Sequence, residues 1–225
     1  MKTKQIVIPL SILALALPLG AQMKLRVPVM SGIWHPVVGS GGEYEFTSGK
    51  GKKTQFEITV VGKKSVTGKD AFWMEMTVSD PSSGDNEYLK YLIAPGTNGM
   101  VLANVIMQTP GQDPVEVNIK DMKVMGGRGP AVGAIRSDIR SKADLVGTES
   151  VTVPAGTFSC SHYRAKDGSS ETWISDKITP YGIVKVQGKN DSIFLTKVIT
   201  DAKDQITGTP KKFDPKQVMH GDLYR

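Results

Sequence analysis

Apolar and polar residues alternate along the chain in two neighbouring runs, 55–61 and 71–78, and this pattern constrains the fold more than any other feature. The apolar positions are Phe56, Ile58 and Val60 in the first run and Phe72, Met74, Met76 and Val78 in the second. Alternation with a period of two is typical of a strand with one buried face. The Gly- and Lys-rich stretch 62–68 between the runs is typical of a turn, so the sequence predicts a hairpin over about 54–79.

Further short apolar runs follow at intervals, separated by turn-forming Pro, Gly, Asn and Asp residues. They span 88–93, 99–107, 115–119, 145–153, 157–165, 172–175, 181–187 and 192–200. About ten strands predict a mainly β protein with one large curved antiparallel sheet and little helix. The predicted β domain covers 43–207, after an extended N-terminal segment, 22–42, and before a Pro- and Lys-rich tail, 208–225. Glycines and Pro130 interrupt 121–142, which predicts an irregular or weakly helical excursion.

The first 21 residues have the pattern of a secretory signal peptide. Lys2 and Lys4 precede an apolar run over 6–19, and Gly20 and Ala21 supply the small residues before a cleavage site. The run is shorter than the ~20 residues that a membrane-spanning helix requires. The sequence therefore predicts cleavage near Ala21, no transmembrane segment in the mature chain, and a periplasmic or extracellular location.

Composition and spacing argue against several classes of function. The single cysteine excludes an intrachain disulfide scaffold and Cys-rich metal sites. Cys160 and His162 lie two positions apart on one predicted strand, which separates their Cα atoms by ~6.6 Å and disfavours a catalytic dyad. The net charge of +6 arises from lysines in separate predicted loops, so no continuous basic face for nucleic acid is expected. We therefore expect no enzyme, metal site or cofactor, and we expect Cys160 to be a buried, small apolar residue.

The later strands carry apolar residues on both sides. We assign Trp173, Val184, Val186, Phe194 and Val198 to one side and Ile174, Ile183, Ile193, Leu195 and Ile199 to the other. Such a sheet needs cover on both faces. Either the sheet curls and packs on its own side chains, or the curl leaves a cavity for an apolar guest. The candidate guest-binding residues are Phe56, Ile58, Phe72, Met74, Met76 and Trp173.

One stretch resembles a known group of proteins. The segment 147–158 (GTESVTVPAGTF) is followed by His162-Tyr-Arg164, Glu171–Lys177 and Pro180–Lys185. This V-PAG-F … W-S … P-G-V-K pattern resembles a family of uncharacterised exported bacterial proteins, and more distantly the periplasmic lipoprotein carriers LolA and LolB. The resemblance implies an incomplete, LolA-like half-barrel whose concave face holds acyl chains.

Two functions therefore remain open. The first is a non-catalytic periplasmic or secreted protein that binds lipid or another hydrophobic molecule. The alternative is an envelope structural or protein-interaction module with a dry core and no ligand, which meets an envelope protein through a strand edge or loops.

Overall fold

Strands that follow one another in sequence are neighbours in space in the computed structural model, which describes residues 31–79, 84, 86–96, 99–108, 111–117, 138–206 and 208–213. The strands are β1 Ser40–Thr47, β2 Lys53–Val66, β3 Lys69–Ser79, β4 Asn86–Gly96, β5 Gly99–Gln108, β6 Val115–Val117, β7 Ala143–Val153, β8 Gly156–Ala165, β9 Ser170–Ile174, β10 Ile183–Gly188, β11 Ser192–Ile199 and β12 Lys211–Lys212. A 3-10 helix, Ile139–Ser141, precedes β7.

The twelve strands form one sheet in the order β12-β6-β5-β4-β3-β2-β1-β11-β10-β9-β8-β7. Two antiparallel meanders, β1 to β6 and β7 to β11, join where β1 pairs with β11. The pair of β12 with β6 is parallel. The predicted fold class is confirmed: the protein is mainly β, with little helix and one large, curved, unclosed antiparallel sheet.

The hairpin of β2 and β3 is present, but the turn predicted at 62–68 is wrong. β2 continues to Val66, and the turn is limited to Thr67 and Gly68, which both have positive φ angles, 49° and 78°. The register shifts between Val60 and Gly62. This bulge accommodates one extra residue, so the strand continues through a stretch whose composition favours a turn.

β1 has no counterpart among the predicted strands, although Tyr44 and Phe46 alternate with glutamates. Gly41 is the second residue of the strand, and a Cβ added there would lie 2.1 Å from the backbone oxygen of Ile58. β1 therefore approaches β2 more closely than any side chain at Gly41 permits.

The two faces of the sheet differ in burial. We call the face that carries Tyr44, Phe56 and Met74 the inner face, and the opposite face the outer face. Directly opposed residues in neighbouring strands share a face, and consecutive residues alternate, so the register assigns each side chain. The inner face contains most of the buried core: Tyr44, Phe56, Ile58, Val60, Met74, Met76, Val78, Leu89, Tyr91, Ile93, Val105, Val117, Ile174, Ile183, Ile193 and Leu195.

The predicted grouping of Val186 with Trp173 and Phe194 is wrong. Val186 lies opposite Ile193 and belongs to the inner face. Trp173 lies opposite Lys185, which lies opposite Phe194, and these three belong to the outer face. Residue parity within one strand does not give the register between strands, and the bulges in β10 and β11 change the parity again.

One backbone contact joins the two ends of the second meander, and the segment after β11 contacts the first meander. The turn between β7 and β8 folds back, so that the Ala155 N–H donates to the Leu195 oxygen of β11 at 3.3 Å. After β11 the chain crosses the outer face of the first meander and reaches β6, where it forms β12. The first meander therefore receives cover from the chain on its outer face.

Several predictions lie outside the described residues. These are the signal peptide 1–21, its cleavage near Ala21, the beginning of the segment 22–42, most of the excursion 121–142, and the tail from 214 onward. The described end of the excursion contains the 3-10 helix, which Asp138 caps by accepting from the Arg140 N–H.

Candidate functional site

The structure brings four of the six predicted guest-binding residues together on the inner face. Phe56 lies opposite Val78, Ile58 opposite Met76, and Met74 opposite Val60. The exposed fractions of Phe56, Ile58, Met74 and Met76 lie between 0% and 3%. Protein atoms surround these side chains, so the face is packed at this place.

Phe72 lies at the border of that packed region and is half-buried. Its ring meets Trp34 edge-on, with 6.4 Å between centroids, and Trp34 packs in turn on Tyr181 at 5.1 Å. The segment 31–38 is held to the loop after β9 by two backbone hydrogen bonds, from Ile33 to the Tyr181 oxygen and from His35 to the Pro180 oxygen. Trp34 therefore covers the inner face from outside the sheet, a role that the sequence analysis missed.

Three tyrosines place hydroxyl groups in this apolar interior. Burial raises the pKa of Tyr44, Tyr91 and Tyr181 far above the ordinary value. The Tyr44 hydroxyl donates to the Ile183 oxygen at 3.2 Å, whereas the buried Tyr181 hydroxyl has no hydrogen-bond partner in the described part of the chain. These hydroxyls stay protonated at ordinary pH and are poor general bases.

A cleft of about 170 Å³ lies at one end of β8, β9 and β10. Its lining includes the apolar residues Ile139, Ala143, Ala165 and Val186 together with serines and Thr172. Small-molecule pockets usually measure about 300–1,000 Å³. The cleft is therefore smaller than a typical lipid or cofactor pocket.

Trp173, the sixth predicted residue, lies on the outer face, away from the other five. Its ring stacks on His162 of β8 with 4.4 Å between centroids, and the Lys185 ammonium of β10 lies 4.5 Å from the ring centre. The indole N–H donates to Glu149 at 2.6 Å, and Glu149 also lies 3.0 Å from His162 Nδ1. Trp173 is thus enclosed by neighbouring side chains, and only 8% of it is exposed.

Cys160 belongs to the same outer face and is buried, as predicted. Burial, with a smaller contribution from Glu149, raises the pKa of the thiol to about 11. Because the thiolate is the nucleophilic form, this thiol is unreactive at neutral pH. Within the described ranges, no group of three His, Cys, Asp or Glu side chains is arranged to hold a metal ion.

The two edges of the sheet differ strongly. β12 is two residues long, and both residues are lysines. β7 is eleven residues long, contains no lysine or proline, and is largely exposed. Leu145 is 60% exposed and Val146 49%. Among the described residues, β7 pairs with β8 on one side and has no strand on the other.

A row of small hydroxyl side chains lies along the straight part of this edge. The bulge of β7 falls between Leu145 and Gly147, and the pairing with β8 is regular from Gly147 to Val153. In this regular part Thr148, Ser150 and Thr152 share one face and are exposed. An extended segment of another chain would meet hydroxyl groups along this row and the half-exposed Glu149 on the opposite face.

No protein-family model and no curated protein matches this chain. Among solved structures, it is similar to a "putative lipoprotein" of Parabacteroides distasonis, with 14% identity, a TM-score of 0.36, and coverage of 75% of this chain and 99% of that one. It is also similar to a "putative exported protein with YmcC-like fold" of Bacteroides fragilis, with 13% identity, a TM-score of 0.37 and the same coverages, 75% and 99%. These likenesses assign no ligand or partner to this chain.

The described part of the chain has no helix long and apolar enough to cross a membrane.

Proposed function

We propose that this chain is an exported, non-catalytic protein that binds an extended segment of an envelope protein along the free edge of β7. The observation that carries the proposal is the edge itself, eleven residues long and exposed, at the end of a sheet whose inner face is packed. Export rests on the signal-peptide pattern of residues 1–21.

Strand addition, in which an extended peptide pairs with an exposed edge strand, is a common mode of peptide recognition at such an edge. An unpaired strand presents backbone N–H and C=O groups that an incoming extended segment satisfies. Natural sheets usually protect their edges with lysine, proline or very short strands. β12 has two of these features, because it is short and made of lysines, and the regular part of β7 has none.

A lysine at the edge tests the proposal. Ser150→Lys adds the residue type that natural edges use against strand addition. Ser159→Lys is the matched control, because Ser159 is exposed, lies directly opposite Ser150 on β8 and shares its face. The two variants carry the same charge and differ only in their distance from the edge.

The measurement is cross-linking of the purified mature protein to envelope proteins, followed by identification of the captured protein. We expect Ser150→Lys to reduce capture at least tenfold and Ser159→Lys to leave it within twofold of the wild type. Equal capture by both variants, or no capture by the wild type, would overturn the proposal.

A second function is favoured by the position of Trp34. The cover over Phe72 comes from an extended segment and not from a strand of the sheet, so a hydrophobic guest has a place to enter if Trp34 moves aside. In this alternative Phe56, Ile58, Phe72, Met74 and Met76 contact the guest, and Trp173 does not.

Uptake of a fluorescent fatty acid tests this alternative. Trp34→Ala should increase uptake several-fold, whereas Trp173→Phe, on the outer face, should leave it unchanged. If neither variant nor the wild type takes up the probe, the core is dry and the guest-binding alternative is wrong.

A further inference from the structure

The segment between β11 and β12 lies across the outer face of the first meander. We call residues 201–206 the strap. The Ala202 N–H donates to the Gly39 oxygen at 2.8 Å, just before β1. Further along, the Gln205 N–H donates to both carboxylate oxygens of Glu75, at 3.1 and 3.3 Å. The strap is thereby fixed to the sheet at two places.

Glu75 is the unusual member of this contact. It lies in the middle of β3 and is 1% exposed, although carboxylates are rarely buried without a cation beside them. Its charged neighbours are Lys90, which lies directly opposite on β4, and Asp204 of the strap, which precedes Gln205 in the chain. Lys90 forms an ion pair with Asp204 and lies 5.2 Å from the centre of the Trp73 ring.

The charges of Glu75, Asp204 and Lys90 sum to zero only when one of the two carboxyl groups is protonated. With both carboxylates ionised, two negative charges lie beside one ammonium group; Glu75 and Lys90 are buried, whereas the Asp204 side chain is 43% exposed. Burial, and next the neighbouring Asp204 carboxyl, raise the pKa of Glu75 to about 7, although the Gln205 N–H and Lys90 lower it.

The surrounding charges do not replace that proton. On the sheet, Glu57 and Glu43 of the adjacent row face Lys197, and Lys64 lies over the far side of Trp73. On the strap itself, Asp201 and Lys203 are exposed, as are Asp204 and Gln205. The nearest group that can compensate for the second carboxylate is therefore a proton on the pair.

We infer that the strap is a proton-dependent latch, which stays on the outer face while the Glu75–Asp204 pair holds a proton and detaches locally when the pair loses it. β11 and β12 keep their pairing at either end, so only the strap moves. Rising pH then exposes the outer side of Glu75 and Lys90 and frees the Gln205 N–H. This inference is independent of the proposed strand addition at β7, which lies at the other edge of the sheet.

Hydrogen exchange of the Gln205 amide, expressed relative to the unstructured rate at each pH, tests the latch on the full mature chain. For the wild type we expect protection to fall at least tenfold between pH 5 and pH 8. Glu75→Gln keeps the shape and removes the charge, so its protection should stay constant over this range. Glu57→Gln is the control, since Glu57 lies in the next row, and it should keep the wild-type fall.

Asp204→Asn provides a second test if Glu75→Gln does not fold. In that variant the effect of the second carboxylate is removed and the effect of burial remains, so protection should fall less with rising pH than in the wild type. Constant protection in the wild type, or a wild-type fall in either Glu75→Gln or Asp204→Asn, would overturn the inference.

Discussion

The two meanders of the sheet differ in what covers their outer faces and in what protects their edges. The first, β1 to β6, has its outer face crossed by the strap and its edge closed by the lysines of β12. The second, β7 to β11, has no strand beyond β7 among the described residues, and its outer face is covered by its own side chains around Trp173. Among the described residues, the chain protects one edge and leaves the other without a neighbouring strand, and this difference is the basis of the proposed strand addition at β7.

Removing core volume from the first meander should have the largest effect. Ile58→Ala removes part of a fully buried side chain and should lower the free energy of unfolding by about 2–5 kcal/mol. Urea unfolding measures this change. A loss below about 1 kcal/mol would show that the inner face is loosely packed and would favour the guest-binding alternative.

The latch should make the stability of the first meander depend on pH. The folded-state pKa of Glu75 is about 7, above its ordinary value of 4.5. A raised carboxyl pKa means that the folded state binds more protons than the unfolded state between these values, so stability is full below pH ~4.5 and is lost as pH rises to ~7. We expect Glu75 to account for a loss of about 1–3 kcal/mol.

The difference between wild type and Glu75→Gln isolates this contribution, because the other titrating groups are common to both proteins. Urea unfolding at pH 4.5, 6 and 8 should show the wild type losing stability relative to the variant as pH rises. A relative gain with rising pH would contradict the sign of the argument.

In the second meander, the cover around Trp173 depends on Glu149. Glu149→Ala removes the acceptor of the indole N–H and should cost about 1 kcal/mol, a modest value because Glu149 is half exposed. Glu149→Gln retains an acceptor and should cost less. Thermal unfolding compares the two variants, and equal losses would show that charge and not the hydrogen bond matters.

At the free edge, truncation should have the smallest effect. Leu145→Ala should change the free energy of unfolding by less than about 0.5 kcal/mol, because the side chain is 60% exposed. A large loss in urea unfolding would mean that Leu145 packs against another part of the chain and that the edge is not free.

The sequence was sufficient for the fold class and for the inner face of the first meander. Alternation over 55–61 and 71–78 depends only on the two-residue period of a strand, and four predicted residues, Phe56, Ile58, Met74 and Met76, do lie together. Trp173 does not lie with them, and Val186 was assigned to the wrong face, because the face of a residue depends on the register between strands, which bulges change.

The remaining features depend on contacts between distant parts of the chain. Glu75 and Gln205 are 130 positions apart, and no local pattern indicates that they meet. Trp34 covers Phe72 through a segment without regular secondary structure. The position of β7 at an edge follows from the order of the strands in the sheet, which the sequence of a single strand does not indicate.

Hydrogen exchange along β7 tests the central claim most directly. In the isolated mature protein, alternate amides from Gly147 to Val153 should exchange near the unstructured rate, because every second N–H of an edge strand points away from its partner. Addition of envelope extract should slow these amides at least tenfold and leave β3 unchanged. Amides that are already protected in the isolated protein, or that stay fast with the extract, would contradict the account.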